Sequence, residues 1–227
     1  MSLALEQLKV EALTCTRCKL ATTRTNVVFG EGVPGTPLVL VGEGPGEKED
    51  LSGRPFVGRS GQLLDKALAE NGLSRSENVY ICNTVKCRAC HVEGARKINR
   101  PPEKEEIAEC SFWLQQQLKI LAPKVILCVG APSAKSLIKP DFKITQERGK
   151  YFPCRFARTA IATLHPAYIL RNSSQSSDGG YSLLVADIAK AWEAAQRLAS
   201  TDLKPGASVA EPQGSLFDSL PEEDRSR

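Results

Sequence analysis

Four short apolar runs punctuate the chain, at Pro37-Leu-Val-Leu-Val-Gly42, Asn78-Val-Tyr-Ile-Cys82, Lys124-Val-Ile-Leu-Cys-Val-Gly130 and Thr159-Ala-Ile-Ala-Thr-Leu164. Their hydrophobicity is continuous rather than alternating, which marks strands covered on both faces. Between and after them, helical periodicity spans residues 60–71, closed by Gly72, and residues 102–121, 131–138 and 182–198. Strand and helix therefore alternate, and the pattern predicts an α/β fold: a three-layer α/β/α arrangement around a mainly parallel four-stranded sheet. Ligands of such sheets sit beyond the carboxyl ends of the strands. Here those ends carry Gly42-Glu-Gly-Pro-Gly46, Asn83 and His165-Pro166, so three polar loops should converge on one edge.

The remaining segments read differently. Residues 88–101 lack an apolar period and carry Arg88, Arg96, Lys97 and Arg100 against Glu93, which predicts a long surface loop. Residues 1–200 fit one domain, and residues 201–227 turn polar and acidic, as a disordered tail does. Removing that tail raises the charge from +4 for the whole chain to +7 for residues 1–200, an excess that suits a polyanionic partner. No apolar run approaches the length of a membrane span and no signal-peptide pattern opens the chain, so a cytoplasmic monomer with no membrane partner is expected.

Eight cysteines in a reducing compartment point to metal ligation or simple burial rather than disulfides. Cys15-Thr-Arg-Cys18 is the tight pair that presents two thiolates to one centre, and Cys87 and Cys110 can complete a set of four. Spacing alone leaves zinc and iron-sulfur centres open, and it leaves Cys90 as a competitor for a ligand place. Cys82 and Cys128 fall in predicted strands, where a thiol packs as a small apolar group. Cys154 also has a structural reading.

Several motifs then fall into one order: Cys15-x-x-Cys18-x-Leu20-x-x-x-Arg24, Gly42-Glu-Gly-Pro-Gly-Glu-Lys-Glu-Asp50, Gly53-Arg-Pro-Phe-Val-Gly58, Asn83-Thr-Val-Lys-Cys87 and His165-Pro-Ala-Tyr168. From Cys15 to Leu198 the chain strongly resembles the family 4 uracil-DNA glycosylases. The resemblance implies an enzyme that flips uracil out of DNA and hydrolyses its N-glycosidic bond. It also implies a structural 4Fe-4S cluster on Cys15, Cys18, Cys87 and Cys110.

Carried over residue by residue, Phe56 stacks on the extruded base and Asn83 reads the uracil edge, accepting from N3–H and donating to O4. His165 matches the histidine at O2, and Glu43 and Glu49 fall at the carboxylate positions, with their division of labour open. Gly44, in the tight turn around Pro45, allows close backbone approach to base or phosphate. The turn has neither the dinucleotide-binding spacing nor a P-loop ending.

The loop between Cys87 and Cys110 departs from the family, where a short turn follows the cysteine. Its Gly94-Ala-Arg-Lys-Ile-Asn-Arg100 resembles the basic loop of a related branch that traps the sugar covalently through a histidine. Asn99 stands at the matching position, and a carboxamide is a poor nucleophile, so turnover is expected. His91 is read as solvent-exposed or phosphate-contacting. Gln213-Gly-Ser-Leu-Phe217 resembles the short motif by which bacterial repair enzymes dock on the sliding clamp, with Gln213, Leu216 and Phe217 as the contacts. Two other functions fit the same features: a protein that binds uracil-containing DNA without cleaving it, and a covalent trap using another loop group.

Overall fold

The computed structural model describes residues 3–94, 96–174 and 177–202. The elements run in chain order as α1 (Leu3–Leu13), a short 3-10 turn (Lys19–Thr22), β1 (Glu31–Gly32), β2 (Leu38–Gly42), α2 (Glu47–Ser52), α3 (Arg59–Ala69) and β3 (Val79–Asn83). There follow β4 (Cys90–Glu93), β5 (Arg96–Asn99), α4 (Lys104–Leu121), β6 (Val125–Val129), α5 (Ala131–Leu137) and α6 (Ile144–Glu147). The described chain ends with β7 (Tyr151–Cys154), β8 (Ala157–Thr163), α7 (Pro166–Asn172) and α8 (Tyr181–Asp202). None of the described helices is long and apolar enough to cross a membrane.

The sheet order is β1-β3-β2-β6-β8-β7. Its four inner strands, β3, β2, β6 and β8, are parallel and correspond to the four apolar runs. Two antiparallel edge strands, β1 and β7, extend the expected four strands to six. Both edges are poor sequence signals: β1 has two residues, and β7 contains Pro153 and shifts register between Phe152 and Cys154.

Alternate residues of each inner strand enter opposite cores. Val39, Val41, Tyr80, Cys82, Ile126 and Cys128 pack with Leu5 and Leu8 of α1 and with Trp113, Leu114 and Leu118 of α4. Leu38, Leu40, Ile81, Val125, Leu127 and Ile161 pack with Leu64 and Leu68 of α3 and with Leu184, Ile188 and Ala191 of α8. Each such leucine or isoleucine contributes about 1.5–3 kcal/mol on leaving water, which holds the strand ends in fixed register. This is the expected three-layer α/β/α architecture.

Residues 90–99 are not the expected irregular loop. They form an antiparallel hairpin, β4 with β5, that pairs Cys90 with Asn99 and His91 with Ile98. Cys90 is buried, whereas the other paired residues, His91 included, are exposed, so no alternation of apolar positions announces either strand. The polar tail begins after α8, and the segment beyond residue 202, with Gln213, Leu216 and Phe217, lies outside the described residues.

Candidate active site

A cavity of about 230 Å³ opens where β2, β3 and β8 end, and Glu43, Gly44, Glu49, Phe56, Asn83, Asn99 and His165 all line it. The seven residues singled out from the sequence for catalysis and substrate binding thus share one site.

Asn83 is the last residue of β3 and only 1% exposed, yet its Oδ1 has no hydrogen-bond partner. A buried acceptor left unpaired costs about 1–3 kcal/mol, a penalty that a ligand donor would remove. Gly42 stands opposite Asn83 across the ladder. A Cβ there would lie 2.4 Å from Asn83 Oδ1 and 2.5 Å from Phe56 Cζ, so only glycine lets the amide and the ring meet at the cavity floor.

Phe56 is buried at 5% exposure, with φ at +52°, a left-handed backbone that costs a non-glycine residue roughly 1–2 kcal/mol. Its carbonyl fills the space a side chain would need at Gly61, where a Cβ would sit 1.8 Å from the Phe56 oxygen. The ring faces His165 at 5.8 Å between centroids and 32° between planes. Ring and imidazole therefore wall the cavity together.

His165 caps α7, with Pro166 next in line, and its Nδ1 accepts the Ala167 amide at 3.1 Å. Burial, aided by Arg171, lowers its pKa to about 4, although Glu49 opposes the shift. The imidazole is accordingly neutral at pH 7. Because Nδ1 accepts, the proton sits on Nε2, which is left as a donor.

The two glutamates differ in their surroundings. Glu49 is 8% exposed; its Oε2 accepts from Gly46 N at 3.1 Å, and its Oε1 accepts from Val57 N at 2.9 Å and Gly58 N at 2.8 Å. These bonds tie the start of α2 to the segment carrying Phe56. Glu43 is half-buried, its carboxylate has no hydrogen-bond partner among the described residues, and burial raises its pKa.

A second, smaller cavity is lined by Cys15, Cys18, Cys87 and Cys110 together. Cys90 is not among its walls. Among the described residues, no three cysteine, histidine or carboxylate side chains close tightly enough to hold a single metal ion. Three sulfurs accept N–H groups: Cys15 from Trp113 Nε1 at 3.1 Å, Cys87 from Arg24 Nη1 at 3.6 Å and Cys110 from Lys86 N at 3.2 Å. Burial pushes the Cys87 and Cys110 thiols up, and the Arg24 and Lys86 donors oppose that shift by favouring thiolate charge.

The Uracil DNA glycosylase superfamily model matches residues 29–196. A type-4 uracil-DNA glycosylase of Thermotoga maritima is 47% identical over 161 residues, covering 70% of this chain and 80% of the relative. Its counterpart in Sulfurisphaera tokodaii is 42% identical over 177 residues, 74% of this chain and 77% of that protein. Another, from Archaeoglobus fulgidus, is 39% identical over 174 residues, 74% of this chain and 83% of its own length. The chain belongs to the type-4 uracil-DNA glycosylases.

Within this type-4 chain, the hairpin brings a residue to the pocket mouth that the family motifs do not supply. Asn99 is exposed, and its Oδ1 accepts from Arg88 Nε at 2.6 Å. Arg88, only 4% exposed, also donates to Lys97 O at 2.9 Å and approaches Glu47 Oε2 at 3.4 Å. Arg100 makes a two-pronged pair with Glu106 at 2.6 and 2.8 Å, anchoring the hairpin to the start of α4. The sequence reading counted Arg88 and Arg100 only as surface charge.

Lys86 was missed as well. It is 1% exposed, and its ammonium donates to Asn83 O at 2.9 Å and to Gln117 Oε1 at 2.6 Å. Its place within Asn83-Thr-Val-Lys-Cys87 was the available signal, since a lysine between two site residues is poorly explained as a solvated surface group.

Proposed function

We propose that the protein removes uracil from DNA, cutting the N-glycosidic bond and leaving an abasic site. The observation that carries this reading is the unpartnered, buried Oδ1 of Asn83 on the floor of a cavity walled by Phe56 and a neutral His165. Uracil in a duplex is out of reach of such a pocket, so the base must be extruded into it. Phe56 then supports the ring face. Asn83 Oδ1 accepts from N3–H, and its amide NH₂ donates to O4. Cytosine presents the reverse pattern and would leave both groups unpaired, at about 1–3 kcal/mol each.

As the bond between N1 and C1′ breaks, its electron pair leaves with uracil and negative charge grows at O2. His165 Nε2–H donates to that oxygen, while its own neutrality avoids repelling the cationic sugar. Water adds to C1′ and passes its proton to Glu43, the carboxylate with no competing partner. Glu49 acts as a positioning residue, because three amides already occupy it. Asn99 marks the mouth without a nucleophile, which supports turnover rather than trapping.

Cys15, Cys18, Cys87 and Cys110 would hold a 4Fe-4S cluster, which supplies a structural cross-link between the N-terminal segment, the Asn83–Cys87 connection and α4. The four-thiol cavity and its N–H donors fit that group. Uracil-containing DNA, single- or double-stranded, is the partner, and the basic hairpin beside the pocket suits its backbone.

Uracil release from a labelled oligonucleotide tests the reading. Wild-type protein should release uracil but neither thymine nor cytosine, and Asn83→Asp should lose roughly ten- to a hundredfold in rate, as one misplaced buried donor implies. No release by wild-type protein, or an unimpaired Asn83→Asp, would refute it.

A further inference from the structure

Phe56 sits in a conformation its own backbone disfavours, and the group that holds it there lies outside the cavity. Arg75, in the turn between α3 and β3, donates from Nη1 to Pro55 O at 2.7 Å and from Nη2 to Phe56 O at 2.9 Å. The same guanidinium is braced by Asp65, whose Oδ1 accepts from Nη2 at 2.7 Å and Nε at 3.1 Å, with Glu31 3.8 Å away. Two consecutive carbonyls are thus gripped by one rigid fork, just where φ is +52°.

We infer that Arg75 is a positioning residue for base excision: its fork fixes the Pro55–Phe56 peptide so that the ring lies flat for the extruded base. The inference rests on the uracil-excising function proposed above. Neither carbonyl points its need at any other side chain, as Arg75 supplies the only side-chain donor to each among the described hydrogen bonds. The Phe56 carbonyl also lies against Gly61, where an added Cβ would sit 1.8 Å from its oxygen, so this placement of the peptide depends on glycine there as well as on the fork. Without the fork the peptide is free to relax outward, and the ring, which nearly touches Gly42 and faces His165, tilts with it. Lysine cannot replace this contact, because a point donor on a flexible stem does not span two carbonyls.

The test compares Arg75→Met, Arg75→Lys and Asp65→Ala with wild-type protein in single-turnover excision, inhibition by free uracil, and affinity for an oligonucleotide bearing an abasic site. Arg75→Met should cut the excision rate by about ten- to a hundredfold, the usual result of a small misplacement of a reacting group. It should weaken inhibition by uracil in parallel and leave abasic-site affinity unchanged, because no base is stacked there. Arg75→Lys, which keeps the charge and the pairing with Asp65, should lose rate at an unchanged melting temperature. Asp65→Ala, which removes the brace but keeps the fork's own bonds to both carbonyls, should lose clearly less than Arg75→Met. An open cavity bounded by Arg54, Asp65, Leu73 and Ser74 adjoins Arg75, so guanidinium ion should partly restore an Arg75→Ala variant. Excision by Arg75→Met or Arg75→Lys within twofold of wild type would overturn the inference, as would an equal loss in Asp65→Ala or in abasic-site affinity. A wild-type protein that releases no uracil would instead sink the underlying function as well.

Discussion

Acid pH separates Glu43 from His165 at the pocket. His165 titrates near pH 4, so at pH 7 the neutral imidazole outnumbers the protonated form by about a thousand to one, and protonating it costs about 4 kcal/mol. At pH 5 the ratio is still about ten to one. Glu43 moves the other way: burial lifts its pKa above the ordinary carboxylate value of 4.5, so it gains its proton first as the solution is acidified. In the role proposed above, a protonated Glu43 cannot take a proton from water, and excision should fall with it. Single-turnover rates measured from pH 8 to pH 4.5 should therefore be flat and then drop on an acid limb that belongs to Glu43. The limb should vanish from the residual activity of Glu43→Gln and persist in that of His165→Ala. A limb centred near pH 6.5 that His165→Ala abolishes would refute the assignment of a neutral histidine.

Three further outcomes are expected. Asn99→His should divert part of the turnover into a covalent protein–DNA adduct if the hairpin brings residue 99 to C1′; a folded, active variant with no slow band on a denaturing gel would show that it does not. Anaerobically purified protein should contain iron and sulfide, and Cys110→Ala should lose both; zinc alone, or a retained cluster, counts against the four-cysteine set. Gly42→Ala should lower stability by about 1–3 kcal/mol in urea titration, through forced overpacking, and impair uracil release, because the new methyl collides with Asn83 and Phe56.

The parts of this fold that were readable in advance are those where local sequence and tertiary environment agree. The runs that became β2, β3 and β6 are buried at every position, and β8 is buried over its last four residues, because both faces of the sheet are covered there; the cavity lies at the ends of these strands. β4 and β5 were unreadable for the opposite reason: seven of their eight residues are exposed, and pairing rather than burial shapes them. α2 is also hidden from periodicity, with the sequence Glu-Lys-Glu-Asp-Leu-Ser and support from the Glu49 carboxylate bonded to Gly46 N. Family motifs point to Glu43 and Glu49 as a pair, and the bonds to Val57 and Gly58, which no motif announces, set their surroundings apart. Arg75 belongs to no quoted motif, and its importance lies wholly in which carbonyls it reaches.

The sheet's borders bear on how the protein behaves when many copies crowd along one DNA molecule. An open strand edge is a template for a neighbour's backbone, and self-association there would compete with searching. One border is a two-residue strand ending in Gly32, and the other is interrupted by Pro153 and a slipped register. Neither offers a neighbour a long straight row of amides. Copies can thus accumulate on the same polyanion without zipping into one another.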